Sequence, residues 1–115
     1  MHTLCLTFVC ICLLTTHAHS VLFDSQTMRS YCQQYLELIA LQDNVDHHEA
    51  GLCNGYISSK IELMSYSQQM CQRETLNVDQ IISHFVIAAG HADAQSQPAI
   101  VIVMDVLEQH HGCGS

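Results

Sequence analysis

Apolar residues recur along this chain in separate helical rhythms. Between residues 25 and 41, Met28, Tyr31, Cys32, Tyr35, Leu38 and Ile39 return at three- and four-residue steps, which predicts a helix with Ser25 or Thr27 available as its N-cap. Residues 42–52 keep no period, carry Asp43, Asp46 and Glu49, and include Gly51, so they predict a polar connection. A second helix is expected from about 54 to 69, with Ile57, Ile61 and Met64 inward and Ser58, Ser59, Glu62 and Ser65 outward. A cysteine borders it on each side, Cys53 and Cys71.

After a short loop, Asn77 stands three residues before Gln80 in capping-box spacing, and Val78, Ile81, Ile82, Phe85, Val86 and Ala89 then share one helical face as far as Gly90. A polar loop, 91–97, leads to Pro98 and a final apolar segment. There the local preferences conflict. Residues 100–103 are β-branched throughout and by propensity alone suit a buried strand. The segment runs on to about His111, with Val103 and Leu107, or Ile102 and Val106, at four-residue steps, and no second strand exists for it to pair with. A fourth helix is therefore expected, closed by Gly112.

The N-terminus reads differently. Residues 4–14 form an uncharged apolar run, too short to span a bilayer but suited to a signal-peptide core, followed by Ala18 and Ser20 at cleavage-site spacing, with Thr16 and Ala18 as the alternative. The usual positive charge ahead of the run is missing. The expected organisation is a signal peptide over 1–20, cleaved near Ser20, and one domain over 21–115. Cleavage would remove Cys5, Cys10 and Cys12 and leave Cys32, Cys53, Cys71 and Cys113. Four cysteines in a small exported protein point to two disulfides, with three connectivities open. If the helices pack up and down, the end of the second lies near the end of the fourth, which joins Cys71 to Cys113 and leaves Cys32 to Cys53. The expected fold class is all-α, a small bundle of four main helices stapled by these two bridges.

Charge removes several functions. Three basic residues, Arg29, Lys60 and Arg73, stand against eleven acidic ones for a formal charge of −8, so a nucleic-acid backbone or an anionic membrane finds little to bind. No other stretch is long and apolar enough to insert stably in a membrane. His47, His48, His84, His91, His110 and His111 raise the question of a metal. No pair sits at the four-residue helical step, and the cysteines are too far apart for a zinc knuckle, so no metal and no cofactor are expected. His110 and His111 suit the C-terminal dipole of the last helix. No nucleophile elbow, phosphate loop or metalloprotease motif is present, and the thiols are expected to be oxidised, so an enzyme is not expected.

Taken in order, Cys53-Asn-Gly-Tyr-Ile57, Cys71, Leu76-Asn-Val-Asp-Gln80-Ile-Ile, His91, Gln97-Pro-Ala99 and an apolar helix ending at Cys113 resemble the Rap/Tai family of periplasmic type VI secretion amidase immunity proteins. Arg73, Ala92 and Gly112 depart from that pattern, where the family commonly has proline, proline and Phe-Pro. The resemblance implies an all-helical, disulfide-bonded periplasmic homodimer. It further implies a protein partner, a papain-like peptidoglycan amidase whose cysteine–histidine site the protein occludes. Polar loops are the expected contacts: Asp43, Asp46 and Glu49 in one, His91, Asp93 and Gln95 in the other. The alternative is a secreted helical carrier of a small apolar ligand, lined by Met64, Phe85, Met104 and tyrosines.

Overall fold

The computed structural model describes residues 23–67, 70–71 and 76–113, so the expected signal peptide lies outside the described residues. Among these residues the fold is all-α. It comprises α1 (Ser25–Ile39), α2 (His47–Tyr66), α3 (Val78–Ala89), a single 3-10 turn (Ala92–Ala94) and α4 (Ala99–His111). The β-branched run before Met104 is helical, because Ile102, Val103, Val106 and Leu107 together present a broad stripe that is buried against the other helices.

α1 packs against every other helix, most extensively against α2. Met28 and Cys32 of α1, Cys53 and Ile57 of α2, Ile81, Ile82 and Phe85 of α3, and Val103 and Leu107 of α4 meet in one cluster. Ile39, expected inside, is exposed because it lies at the last turn of α1, beyond the reach of the neighbouring helices. Both expected disulfides are present, Cys32–Cys53 and Cys71–Cys113. They close 21 and 42 residues of sequence separation. On loop entropy such bridges stabilise a fold by roughly 3 and 4 kcal/mol.

Two boundaries differ from the sequence expectation. α2 begins at His47, not near Asn54: the Asp46 carboxylate accepts the Glu49 N–H at 3.0 Å, and Ala50 and Cys53 are buried at once. A good N-cap, an acidic first turn and early burial outweigh the helix-breaking tendency of Gly51. The cap of α1 is Asp24, which accepts the Thr27 N–H at 2.8 Å and the Thr27 hydroxyl at 2.7 Å. Those bonds hold the Asp24 carboxyl below its ordinary pKa. Ser25, freed from capping, turns inward.

α3 runs antiparallel to α1 and is latched to it at both ends. At its start, the Tyr35 phenol donates to Asp79 at 2.5 Å. At its end, the Gln26 amide donates to the Ala89 carbonyl at 2.8 Å and Arg29 Nε to the Val86 carbonyl at 3.0 Å. Gly90 leaves room for that guanidinium, which a Cβ would approach to 3.1 Å. α4 starts beside the start of α1, where the Ala99 N–H donates to the Phe23 carbonyl at 2.9 Å. It ends beside Cys71, whose N–H donates to the His111 carbonyl at 2.9 Å. Gly112 turns the chain out of α4 toward its disulfide, and a Cβ there would lie 2.5 Å from the Glu108 carbonyl oxygen.

A Cβ at Gly51 or Gly55 meets nothing within 4 Å, and both positions are exposed within α2. Each glycine to alanine change is expected to stabilise the fold by about 1 kcal/mol through helix propensity, read as a rise in denaturation midpoint; an unchanged or lower midpoint contradicts it. The Asp79 bond, with burial and the Asp79 charge adding to it, pushes the Tyr35 phenol up to about 12. Because the raised pKa belongs to the folded state, this stabilisation is complete below pH 10 and is lost as pH rises through about 12. Ultraviolet titration should show Tyr35 ionising last, and Asp79→Asn should return it toward the ordinary range.

Candidate partner interface

Two surfaces stand out from this frame, at opposite ends of α1. The first is built on the connection between α3 and α4. Ser25, fully buried, donates its hydroxyl to the Ala94 carbonyl at 2.9 Å, and its N–H donates to the Gln97 carbonyl at 3.2 Å. The 3-10 turn is thereby tied to the start of α1. Between this loop and α4 lies a cleft of about 210 Å³. His91, Asp93 and Gln97 line it on the loop side, Asp105 and Gln109 on α4, and Ala88, Ala94, Ile102 and Val106 supply its apolar part. Of the loop residues expected at an interface, His91 and Asp93 line the cleft; Gln95 is exposed outside that lining.

The second surface is the turn between α1 and α2. Asp43 is exposed, Asp46 caps α2 and also donates its N–H to Gln34 Oε1 at 2.9 Å, and Glu49 sits in the first turn of α2. The two sets of expected contacts are separated by the length of α1, 15 residues or about 20 Å. They do not form one patch. Asp105 and Gln109 belong with His91 and Asp93, a grouping that their four-residue step on α4 shows only once the loop is placed beside that helix.

The remaining candidates sort themselves by burial. Met64 and Phe85 are packed in the core and are not part of the cleft lining. His84 stacks on His110 with ring centroids 4.0 Å apart, while His111 is buried in the last turn of α4 with no hydrogen-bond partner at Nδ1. His110 and His111 both stand in the last turn of α4, where the sequence placed them as partners for its C-terminal dipole, and of the two only His111 is buried. Among the described residues no three histidine, cysteine, aspartate or glutamate side chains are grouped to hold a metal ion, and no helix is long and apolar enough to cross a membrane.

The chain in comparison matches the family model described as Rap1a immunity proteins over residues 23–113. It belongs to the Rap1a immunity protein family. The match covers all four helices and both disulfides, and so includes the Cys53–Ile57 segment, now seen inside α2, and both surfaces just described. No curated protein and no solved structure matches the chain. Membership in the Rap1a family makes this an immunity protein directed at a secreted effector, and its partner is accordingly a protein. Immunity proteins of this family are generally not enzymes; they work by binding.

Binding surfaces on a Rap1a fold are useful only if their loops hold still. Ser25→Ala leaves the Ala94 carbonyl without its buried donor and should cost about 1–2 kcal/mol. Amide exchange should accelerate across residues 91–97 before it does in α2; uniform acceleration would show that Ser25 supports the whole bundle and not this loop.

Proposed function

We propose that this protein acts in the periplasm, where it binds a papain-like peptidoglycan amidase delivered by type VI secretion and occludes its cysteine–histidine site. The observation that carries the reading is the Rap1a family match over the folded domain. The resemblance of the Cys53–Ile57, Leu76–Ile82 and Gln97–Ala99 segments to the amidase-directed immunity proteins supplies the target class. Two disulfides suit an oxidising compartment, and the apolar run at 4–14 suits export.

Occlusion needs no chemistry from the inhibitor. It needs a stiff body and a surface complementary in shape and charge to a cleft that binds peptide, because each loop frozen on binding subtracts from affinity. Two disulfides and the latches on α1 supply the stiffness. Asp43 and Glu49 at one end, with His91 and Asp93 at the other, supply acidic and polar contacts, and the protein works as a homodimer in which both ends are presented twice.

The test is direct. The purified protein should bind a papain-like amidase encoded beside its own gene with submicromolar affinity and abolish its hydrolysis of peptidoglycan. Asp43→Lys with Glu49→Lys, or Asp93→Lys with Gln95→Lys, should weaken binding about tenfold or more at the end that makes contact. Full amidase activity in the presence of excess wild-type protein would overturn the reading, and unchanged binding by both double variants would overturn the placement of the contacts.

A further inference from the structure

Leu41 occupies a place that the fold alone does not explain. α1 ends with the Leu41 N–H donating to the Leu38 carbonyl and the Gln42 N–H to the Glu37 carbonyl, both at 3.1 Å. This bonding pattern puts the residue after the cap in the left-handed region, where glycine is usual because a Cβ crowds the backbone. Here it is leucine, at φ 58°. The residue is 92% exposed, so packing among the described residues does not compensate the strain. An apolar side chain held in a costly conformation and pointed at solvent is what remains when a site is built for something outside the molecule.

The turn around it is rigid and acidic. Asn44 is also left-handed, at φ 61°, Asp46 is bonded on both its backbone and its side chain, and the Cys32–Cys53 bridge ties α1 to α2 below the turn. Ile39 adds exposed apolar surface, while Asp43, Asp46 and Glu49 surround the tip in sequence. A second copy of this turn would bring carboxylates against carboxylates, on chains of formal charge −8. A pocket with an apolar floor and a rim of lysine or arginine is the complementary surface.

We propose that Leu41 is the apolar anchor of the effector interface, seated in a basic-rimmed pocket of the effector and held ready for it by the left-handed turn. The proposal rests on the effector-binding reading above. Leu41→Gly relieves the strain and deletes the anchor; Leu41→Asn tolerates the left-handed backbone but is polar; Leu41→Met keeps an apolar side chain. Binding is measured by calorimetry to the active-site-inactivated amidase encoded beside this gene, with a thermal melt and sedimentation of each variant alone. The expected result is at least tenfold weaker binding for Leu41→Gly and Leu41→Asn, an equal or higher melting temperature, and near wild-type binding for Leu41→Met. Wild-type binding by Leu41→Gly overturns the anchor while leaving the amidase reading intact, and no binding by the wild-type protein overturns both. A shift from dimer to monomer in Leu41→Gly, with binding kept, assigns the turn to a second copy of this chain and overturns the proposal.

Discussion

The Cys32–Cys53 bridge is the constraint on which the rest of the structure leans. Both cysteines are fully buried, one in the middle of α1 and one in the second turn of α2, so the bond fixes the register of the two most extensively packed helices. A small domain has little apolar surface to set against chain entropy, and a covalent link across its largest helix pair removes part of that entropy from the unfolded chain. α3 then has a defined surface to dock on. Phe85 fills it from one side, and Tyr35, Arg29 and Gln26 hold its two ends.

The second bridge acts elsewhere. Cys71–Cys113 joins the chain after α2 to the chain after α4, and with the Met70–Gly112 pairing it ties the end of α4 to the segment that follows α2. The opposite end of α4 is closed without covalent help, by the backbone bonds that Phe23, Ser25, Gln97 and Ala99 exchange. The loops are thus mounted on fixed points, which suits a protein whose membership in an immunity family assigns it a binding task.

Much of this was legible from residue pattern. The 3.6-residue rhythm of Met28, Ile57, Ile81, Phe85 and Val103 found the core-facing side of every helix, and those residues are buried. What failed did so for local reasons with tertiary causes. Gly51 looks like a loop residue, yet α2 runs through it because Asp46 caps the helix and Ala50 and Cys53 are buried just behind. Ser25 looks like an N-cap and instead holds a loop 69 residues away. The candidate interface was less readable still: Asp43 and Asp93 are alike in sequence, and only the direction of α1 separates them.

Composition, the even cysteine set left after residue 20, and helical periodicity determined that the chain folds as four helices with two bridges, because these depend on which residues alternate with which. The Cys53–Ile57 segment and its companions determined the family for the same reason. Tertiary structure alone decided which carboxylates share a surface, which histidine goes inside, and that Leu41 stands strained and bare at the tip of a turn. Those properties depend on where distant segments come to rest and on a backbone angle that no residue pattern records. In the sequence Leu41 reads as one more apolar residue at the end of a helix.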